Sequence, residues 1–218
     1  MLKKYLKILI ITSFVMMLPM AFGYLLWDEL PAKMVIHWDI NNQPDGWASK
    51  AMVVYGMPVL MAATQWLLVL ITELDLKKKN HSEKLMGLVL WIMPIISLML
   101  SIITYSHGLG IKVNVGFWVL IMLGVFFMII GNYLPKCRQN WTMGIRTRWT
   151  LSDTENWNHT HRFAGPVWMI GGLLITLGSF FSGQAVVAYS LLVIILAMCL
   201  IPTIYSYMYY KKHSAETE

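Results

Sequence analysis

VGFWVLIMLGVFFMIIGNYL, residues 115–134, is a run of twenty residues without one charged side chain. A helix needs about 20 mostly apolar residues to cross the hydrocarbon core of a bilayer, where every backbone amide has to bond within its own segment. The run therefore predicts a membrane-spanning helix. The rest of the chain has the same character, because 57% of its 218 residues are hydrophobic and only 13% are charged. This composition is typical of an integral membrane protein.

Further apolar segments of similar length lie on either side of this run. Together they predict an all-α integral membrane protein with six transmembrane helices, at residues 6–27, 51–72, 85–105, 115–134, 162–182 and 186–209. The loops between the helices indicate two parts. Residues 1–80 form a two-span unit with an outer loop at 28–50, and residues 81–218 form a four-span unit with an inner loop at 135–161.

Lysine and arginine are distributed unevenly between these loops. If both termini are cytoplasmic, fourteen of the seventeen basic residues lie inside, and only Lys33, Lys50 and Lys112 lie outside. Positively charged loops are retained on the cytoplasmic side of a membrane. We therefore predict that both termini are cytoplasmic. The net charge of +6 follows from this topology, so it does not require nucleic acid as a direct partner.

The predicted spans also differ from those of pumps and of intramembrane enzymes. Their interiors carry no Asp, Glu, Lys or Arg, whereas proton relays and ion-coupled carriers place ionisable groups at membrane depth. The chain has no His-Glu-x-x-His motif, no phosphate-binding glycine loop and no recognisable nucleophile beside a base. Its two cysteines, Cys137 and Cys199, suggest free thiols. We predict no catalytic residues, no metal and no cofactor, and hence no enzyme.

The outer loop contains short polar and aromatic motifs. Residues 34–38 are a candidate extended segment, and Gln-Pro-Asp-Gly at 43–46 is a turn signature. His37 and Asp39 would point the same way on a strand, but two ligands without a third are too few to predict a metal site. Two explanations stay open for its tryptophans, which are anchoring at the membrane interface and contact with an external partner. These residues are Trp27, Trp38 and Trp47.

The inner loop, PKCRQNWTMGIRTRWTLSDTENWNHTH, is basic and rich in tryptophan and hydroxyl groups. Ser152 and Glu155 have the spacing of a capping box, so a helix should begin near Asp153 and continue into the fifth span. One face of this helix should carry Trp157, His161, Ala164 and Trp168.

Lipid headgroups and topology explain part of the inner loop, because arginine and tryptophan both suit the membrane interface. They do not explain why a glycine, an arginine with its planar bidentate guanidinium, and several hydroxyls occur within a few residues. This combination indicates a specific local fold. A guanidinium there would suit a carboxylate on another loop or on a partner. An enzyme acting on lipid or peptide would use His159 or His161 as its base, but a histidine capping a span is the simpler explanation.

The inner loop resembles the signature of the SdpI family, bacterial multi-pass immunity proteins that protect against a secreted killing peptide. The matching residues are Gly144, Ile145, Arg146, Thr147, Trp149, Thr150, Leu151, Glu155 and Trp157. Arg148 stands where the family often has proline, which should loosen the turn and add a charge. The outer loop resembles a short domain of unknown function that often accompanies this signature, through His37, Trp38, Pro44, Asp45, Gly46 and Lys50.

The resemblance implies a multi-pass protein of the bacterial cell membrane that gives immunity to a secreted peptide toxin. It also implies a receptor that holds a cytoplasmic winged-helix repressor at the membrane. On this reading the extracellular recognition residues are His37, Trp38, Asp39 and Trp47. The inner site, structural or for partner docking, comprises Gly144, Arg146, Thr147, Trp149, Thr150, Glu155 and Trp157. The alternative is a non-coupled transporter, or a membrane protein that handles lipid or peptide.

Overall fold

The computed structural model describes residues 2–77, 80, 83–181 and 184–214. The chain is mostly helical. Its elements in order are α1 (Leu2–Leu25), β1 (Lys33–Trp38), β2 (Pro44–Ser49), a π-helical turn (Met52–Gly56), α2 (Met57–Glu73), α3 (Glu83–Gly108), α4 (Val115–Tyr133), a 3-10 turn (Leu134–Lys136), α5 (Arg148–Ser152), α6 (Thr154–Gly178) and α7 (Gln184–Ser214). The two strands depart from the all-α prediction, because the outer loop forms a β-hairpin.

Five stretches of the described helices are long and apolar enough to cross a membrane. They are Tyr5–Leu25, Met52–Glu73, Met86–Gly108, Val115–Lys136 and Tyr189–His213. The predicted fifth span, 162–182, lies mainly on α6, which is not among these five because its first turns are polar. The prediction of a multi-span helical membrane protein is therefore confirmed, whereas six spans and cytoplasmic termini stay predictions.

The chain divides into two compact units. The first contains α1, the hairpin, α2 and α3, up to Val115, and the second contains the segment that begins at Asp75 before α3 and everything from Gly116 onwards. This grouping differs from the division at residue 80 that the loops indicate, because α3 lies with the first unit.

In the first unit, polar side chains connect the three apolar helices. The buried Gln65 of α2 donates from Nε2 to Thr12 Oγ1 of α1 at 2.8 Å and to the Leu90 carbonyl oxygen of α3 at 3.0 Å. The Tyr105 hydroxyl of α3 donates to the carbonyl oxygen of Pro19 in α1 at 3.0 Å. Such bonds hold helices together in an apolar solvent, where burial of hydrocarbon supplies no driving force between them.

The β-hairpin packs on the same unit through a small apolar core, which consists of Leu30, Met34, Val53, Val54 and Tyr105. Strands β1 and β2 are antiparallel, with Val35 opposite Trp47 and an irregular register around His37. The predicted strand at 34–38 is confirmed by β1.

The predicted turn at 43–46 is wrong, because Pro44–Ser49 is strand β2 and the chain reverses earlier. The Asp39 amide donates to the Gln43 carbonyl oxygen at 2.8 Å, and Asn42 adopts the left-handed conformation with φ 60°. Asparagine tolerates this region better than most residues, and the carboxylate of Asp39 accepts the Asn41 and Gln43 amides at 2.8 and 2.7 Å.

In the second unit, α4 and α6 approach each other until their backbones touch. A Cβ on Gly124 would lie 2.6 Å from the Gly172 carbonyl oxygen, and a Cβ on Gly131 would lie 2.8 Å from that of Gly165. The two contacts are seven residues apart on each helix and run in opposite directions, so the helices are antiparallel. Glycine is required at this separation, because any side chain would meet backbone atoms.

Candidate functional site

The inner loop packs around the side chain of Trp157. It is fully buried, and its indole Nε1 donates to the Cys137 carbonyl oxygen at 2.7 Å. Its ring stacks on His161, with 4.0 Å between ring centroids. These contacts fold the start of the loop onto the first turns of α6. On the face predicted for four residues, Trp157, His161 and Ala164 are buried, whereas Trp168 is only partly buried.

His161 uses both of its ring nitrogens inside this fold. Nδ1 lies 2.8 Å from the Trp157 carbonyl oxygen, and Nε2 lies 3.0 Å from the Ile145 amide nitrogen. Because the amide can only donate, Nε2 accepts and Nδ1 carries the proton, so the ring is neutral. Burial lowers the pKa of His161 to about 4. A buried ring that forms hydrogen bonds through both nitrogens supports the local fold. His161 is therefore not accessible as the catalytic base that the enzyme alternative would use.

Gly144 allows the loop to pass directly over this pair of rings. Its φ is +106°, which favours glycine. A Cβ at this position would overlap His161 Nε2 and lie 3.1 Å from the ring of Trp157. The glycine of the family signature is therefore required by close packing as well as by backbone conformation.

Helix α5 follows as a single capped turn. Thr147 is its N-cap and forms a capping box with Thr150. The buried Thr150 also donates from Oγ1 to the Ile145 carbonyl oxygen at 2.8 Å, which closes the turn on itself. Arg148 occupies the first helical position, where proline is also favoured because no amide donor is needed there. The two threonines close this turn with Arg148 in place, and the expectation that arginine loosens it relative to proline stays a prediction.

Helix α6 begins where the sequence predicts, but with a different cap. Asp153 is the N-cap and accepts the amides of Glu155 at 2.8 Å and Asn156 at 3.2 Å. The predicted capping box of Ser152 and Glu155 is wrong, because the Ser152 hydroxyl bonds back to the Trp149 carbonyl oxygen at 3.1 Å. Glu155 is exposed at the start of the helix.

Several buried polar residues hold the inner loop although the sequence pattern did not identify them. Asp75 accepts the Trp141 amide at 3.0 Å and the Thr142 hydroxyl. Gln139 donates from Nε2 to the Thr150 carbonyl oxygen at 2.7 Å and accepts the Lys77 ammonium group at 2.5 Å. These bonds tie the segment before α3 to the inner loop.

A second buried network joins α5, α6 and α7. Asn156 donates to the Ser206 carbonyl oxygen at 3.0 Å and accepts the Thr160 hydroxyl at 3.0 Å. The Ser206 hydroxyl lies 2.9 Å from the Thr147 hydroxyl. The N-cap of α5 is thus fixed to the last turns of α7. Long-range pairs of this kind have no signal in local spacing.

The signature residue Arg146 is exposed rather than buried. Arg146 donates from Nη1 to the Trp141 carbonyl oxygen at 2.6 Å, and among the described residues it has no carboxylate partner. The predicted fork on a carboxylate of another loop is therefore not formed within the part of the chain that is described. Trp141 is also 48% exposed, so this pair places a cation and an aromatic ring at the protein surface.

Trp149 belongs to α5, and its side chain packs against the end of α7. Its ring centroid is 5.0 Å from that of Tyr207 and 6.4 Å from that of Tyr210. The guanidinium carbon of Arg148 lies 5.2 Å from the centroid of Trp149. The indole N–H of Trp149 is buried without an acceptor among the described residues.

The four predicted recognition residues lie in two different environments on the hairpin. His37 Nδ1 lies 2.5 Å from Asp45 Oδ1 on the surface, and Trp47 is 55% exposed. Trp38 packs edge-on against His107 at 5.6 Å, and Asp39 closes the hairpin turn. His37 and Asp39 therefore do not form the pair that a metal would need, and the described residues contain no group of three metal ligands.

Two further residues fix the position of the hairpin. Asn42 accepts the Val115 amide at 2.9 Å and donates to the Val113 carbonyl oxygen at 3.2 Å. The Lys50 ammonium group donates to the carbonyl oxygens of Trp27 at 2.6 Å and Leu30 at 2.8 Å. The turn and the base of the hairpin are both held by hydrogen bonds to backbone atoms.

The two structured polar regions coincide with what comparison with known proteins finds. The model of the SdpI/YfhL protein family matches residues 136–206, and that of a domain of unknown function, DUF1648, matches residues 14–62. The chain is also 30% identical to Immunity protein SdpI of Bacillus subtilis (strain 168), over 93% of this chain and 96% of that protein. The chain belongs to the SdpI/YfhL protein family.

Membership of the SdpI/YfhL family agrees with the apolar helices, and the chain is a multi-pass protein of the cell membrane. The family match begins at the 3-10 turn before the inner loop and ends at Ser206, so it includes both buried networks around Thr147 and Trp157. No solved structure significantly matches the chain.

Proposed function

We propose that this chain is a membrane immunity protein that protects the cell from a secreted peptide toxin. The observation that carries the proposal is its similarity to Immunity protein SdpI, which extends over 93% of the chain and includes both the hairpin and the inner loop. The protein acts by binding and performs no catalysis. Its recognition surface is the hairpin, and its inner loop is a rigid docking platform for a cytoplasmic repressor.

A topology with six spans and both termini in the cytoplasm suits this function. Gly124 and Gly131 lie within the apolar stretch Val115–Lys136, and their close contacts on α6 are Gly172 and Gly165. A helix whose backbone touches the middle of a spanning helix over two turns lies at the same membrane depth. This supports α6 as a sixth span despite its polar first turns. An even number of spans places both termini on one side, and the distribution of basic residues assigns that side to the cytoplasm.

The hairpin is suited to recognition because its two exposed side chains stand on a fixed frame. Trp47 presents a large amphipathic ring, and the imidazole of His37 is oriented by Asp45. Aromatic residues on rigid elements bind partners at low entropic cost, because little conformational freedom is lost. We assign direct toxin contact to His37 and Trp47, and assign the support of their frame to Trp38 and Asp39.

The inner loop supports a second activity, which is holding a cytoplasmic repressor at the membrane. Arg146 and Trp141 form an exposed pair, and Glu155 is exposed at the start of α6. Gly144, Thr147, Thr150 and Trp157 build the platform beneath them. An arginine whose guanidinium is only partly used can still form bonds to a carboxylate of a partner.

Transport has less support from the described residues. The cavity between α4, α6 and α7 has a volume of about 230 Å³, and apolar side chains line it together with Ser190. A path for a polar substrate needs several polar groups along its wall. This cavity does not provide them.

The test is survival of a toxin-sensitive bacterium that expresses the full chain and is challenged with a purified killing peptide of the SdpC type. We expect the intact chain to protect and Trp47→Ala to lose protection at equal membrane abundance. Trp118→Ala is the matched control, since Trp118 is similarly exposed at 51% but lies on a spanning helix. Failure of the intact chain to protect refutes immunity. Equal loss in both variants refutes recognition by the hairpin.

The docking proposal needs a separate readout. A fluorescent winged-helix repressor should move to the membrane with the intact chain and stay in the cytoplasm with Arg146→Ala, while survival is unchanged. Arg162→Ala is the control, because Arg162 is also exposed but lies on α6 outside the pair. If Arg146→Ala leaves recruitment intact, the inner loop is not the docking surface.

A further inference from the structure

We propose that Arg148, Trp149, Tyr207 and Tyr210 form a binding site for the phosphate of an anionic phospholipid. We name these four residues the Trp149 cluster. The site is additional to immunity and to repressor docking, because it uses neither the hairpin nor the exposed pair of Arg146 and Trp141, and it takes Trp149 from the predicted inner site.

The Trp149 cluster lies where a lipid headgroup would meet the protein. Tyr207 and Tyr210 belong to the last turns of the apolar stretch Tyr189–His213, and Lys211 and Lys212 follow at once. Tyrosine and tryptophan with basic neighbours mark the boundary between hydrocarbon and headgroups. Helix α5 packs beside these turns and brings Arg148 and Trp149 to the same level.

The cluster combines a guanidinium with neighbouring aromatic rings. Arg148 is exposed and lies over the ring of Trp149 at 5.2 Å, and no described carboxylate pairs with it. The cation is attracted to the face of the ring, and its N–H donors can still bind an anion. Phosphate, like carboxylate, accepts two parallel donors of this kind. Tyr207 and Tyr210 are 45% and 43% exposed, so their rings are accessible.

The indole N–H of Trp149 supplies a second observation. It is buried and has no acceptor among the described residues, which is unusual for a strong donor. Because this N–H is buried, its approach to a phosphate at Arg148 requires the indole to rotate towards the surface. In the proposed site the phosphate is the acceptor both for this N–H and for the Arg148 guanidinium, neither of which has an acceptor among the described residues.

Arg148 is also the residue that distinguishes this chain from the usual family signature. It stands at the first position of α5, after the N-cap Thr147, where proline fits without loss of a hydrogen bond. Arg148→Pro therefore removes the guanidinium and leaves the helix intact. This gives a variant that folds and carries the common family residue.

The experiment measures lipid retention by native mass spectrometry on the full chain in detergent. The probes are dioctanoyl phosphatidylglycerol, dioctanoyl phosphatidylcholine and inorganic phosphate. We expect the intact chain to prefer phosphatidylglycerol and Arg148→Pro to bind it about fivefold more weakly, the factor expected for one basic residue at an anionic surface. Trp149→Phe keeps the ring but removes the donor, and should weaken binding about two- to tenfold.

Two comparisons decide the matter. Arg148→Gln and Arg162→Gln make the same change in charge, and only the first should reduce binding of phosphatidylglycerol. Equal reduction by both would mean a general effect of charge and overturn the site. Equal binding of the two lipids would overturn it as well. If inorganic phosphate at the same concentration displaces phosphatidylglycerol, the site binds free phosphate and the lipid assignment is wrong.

Discussion

Replacing Gly144 by alanine tests the packing of the inner loop more directly than any other single change. At φ +106° an alanine costs roughly 1–3 kcal/mol in backbone strain. Its Cβ would also overlap His161 Nε2, so the imidazole must move away from the Ile145 amide. A partly buried amide that loses its acceptor costs about 1–3 kcal/mol more. We expect a total loss of about 4 kcal/mol, which is a large share of the roughly 5–15 kcal/mol that stabilises a typical protein.

Gly110 provides the matched control for this substitution. Its φ is +80°, but a Cβ there would meet no atom within 4 Å. Gly110→Ala therefore carries the backbone strain without the overlap, and should cost about 2 kcal/mol less than Gly144→Ala. The assay is equilibrium unfolding of the purified full chain in mixed micelles, with proteolysis of the inner loop as a local readout. Equal losses in the two variants would refute the contact between Gly144 and His161.

Three further changes follow from the same geometry. Because folding lowers the pKa of His161 from 6.5 to about 4, the unfolded state binds a proton first as pH falls. The contribution of His161 to the free energy of unfolding should be constant above pH 6.5 and fall by about 3 kcal/mol between pH 6.5 and pH 4. In His161→Gln this pH dependence should disappear. Asn42→Asp removes the donor to Val113, so amide hydrogen exchange in the hairpin should rise about two- to tenfold, and rates equal to those of the intact chain would contradict the bond. Gly131→Ala should destabilise the second unit in thermal unfolding, whereas Gly178→Ala, which meets no atom within 4 Å, should not.

Local sequence patterns predicted the parts of this fold that local physics determines. Long apolar runs identified the spanning helices, and the candidate extended segment at 34–38 identified β1. The start of α6 was also predictable, because a short polar side chain before a helix is a local signal. The sequence predicts Ser152 as the capping residue, whereas the observed cap is Asp153. Both residues have the right chemistry, and only the backbone conformation distinguishes them.

The remaining features depend on pairs that are distant in sequence. Asp75 bonds to Trp141 across 66 positions, and Asn156 bonds to Ser206 across 50. No periodicity connects such residues, because their approach depends on how whole helices pack. The hairpin turn was misplaced for a related reason. Pro-Asp-Gly is a strong turn signal by itself, but the carboxylate of Asp39 caps the earlier reversal.

The family signature mixes residues that build the inner loop with residues that this loop exposes, and the two groups answer different experimental questions. Trp157 and Thr150 are fully buried, so their loss unfolds the loop and removes every activity that depends on it. Such variants cannot distinguish immunity from repressor docking. Arg146 and Glu155 are exposed, so changing them leaves the platform standing. A variant of Arg146 that keeps survival but loses recruitment would therefore separate the two activities, which no substitution at a buried signature residue can achieve.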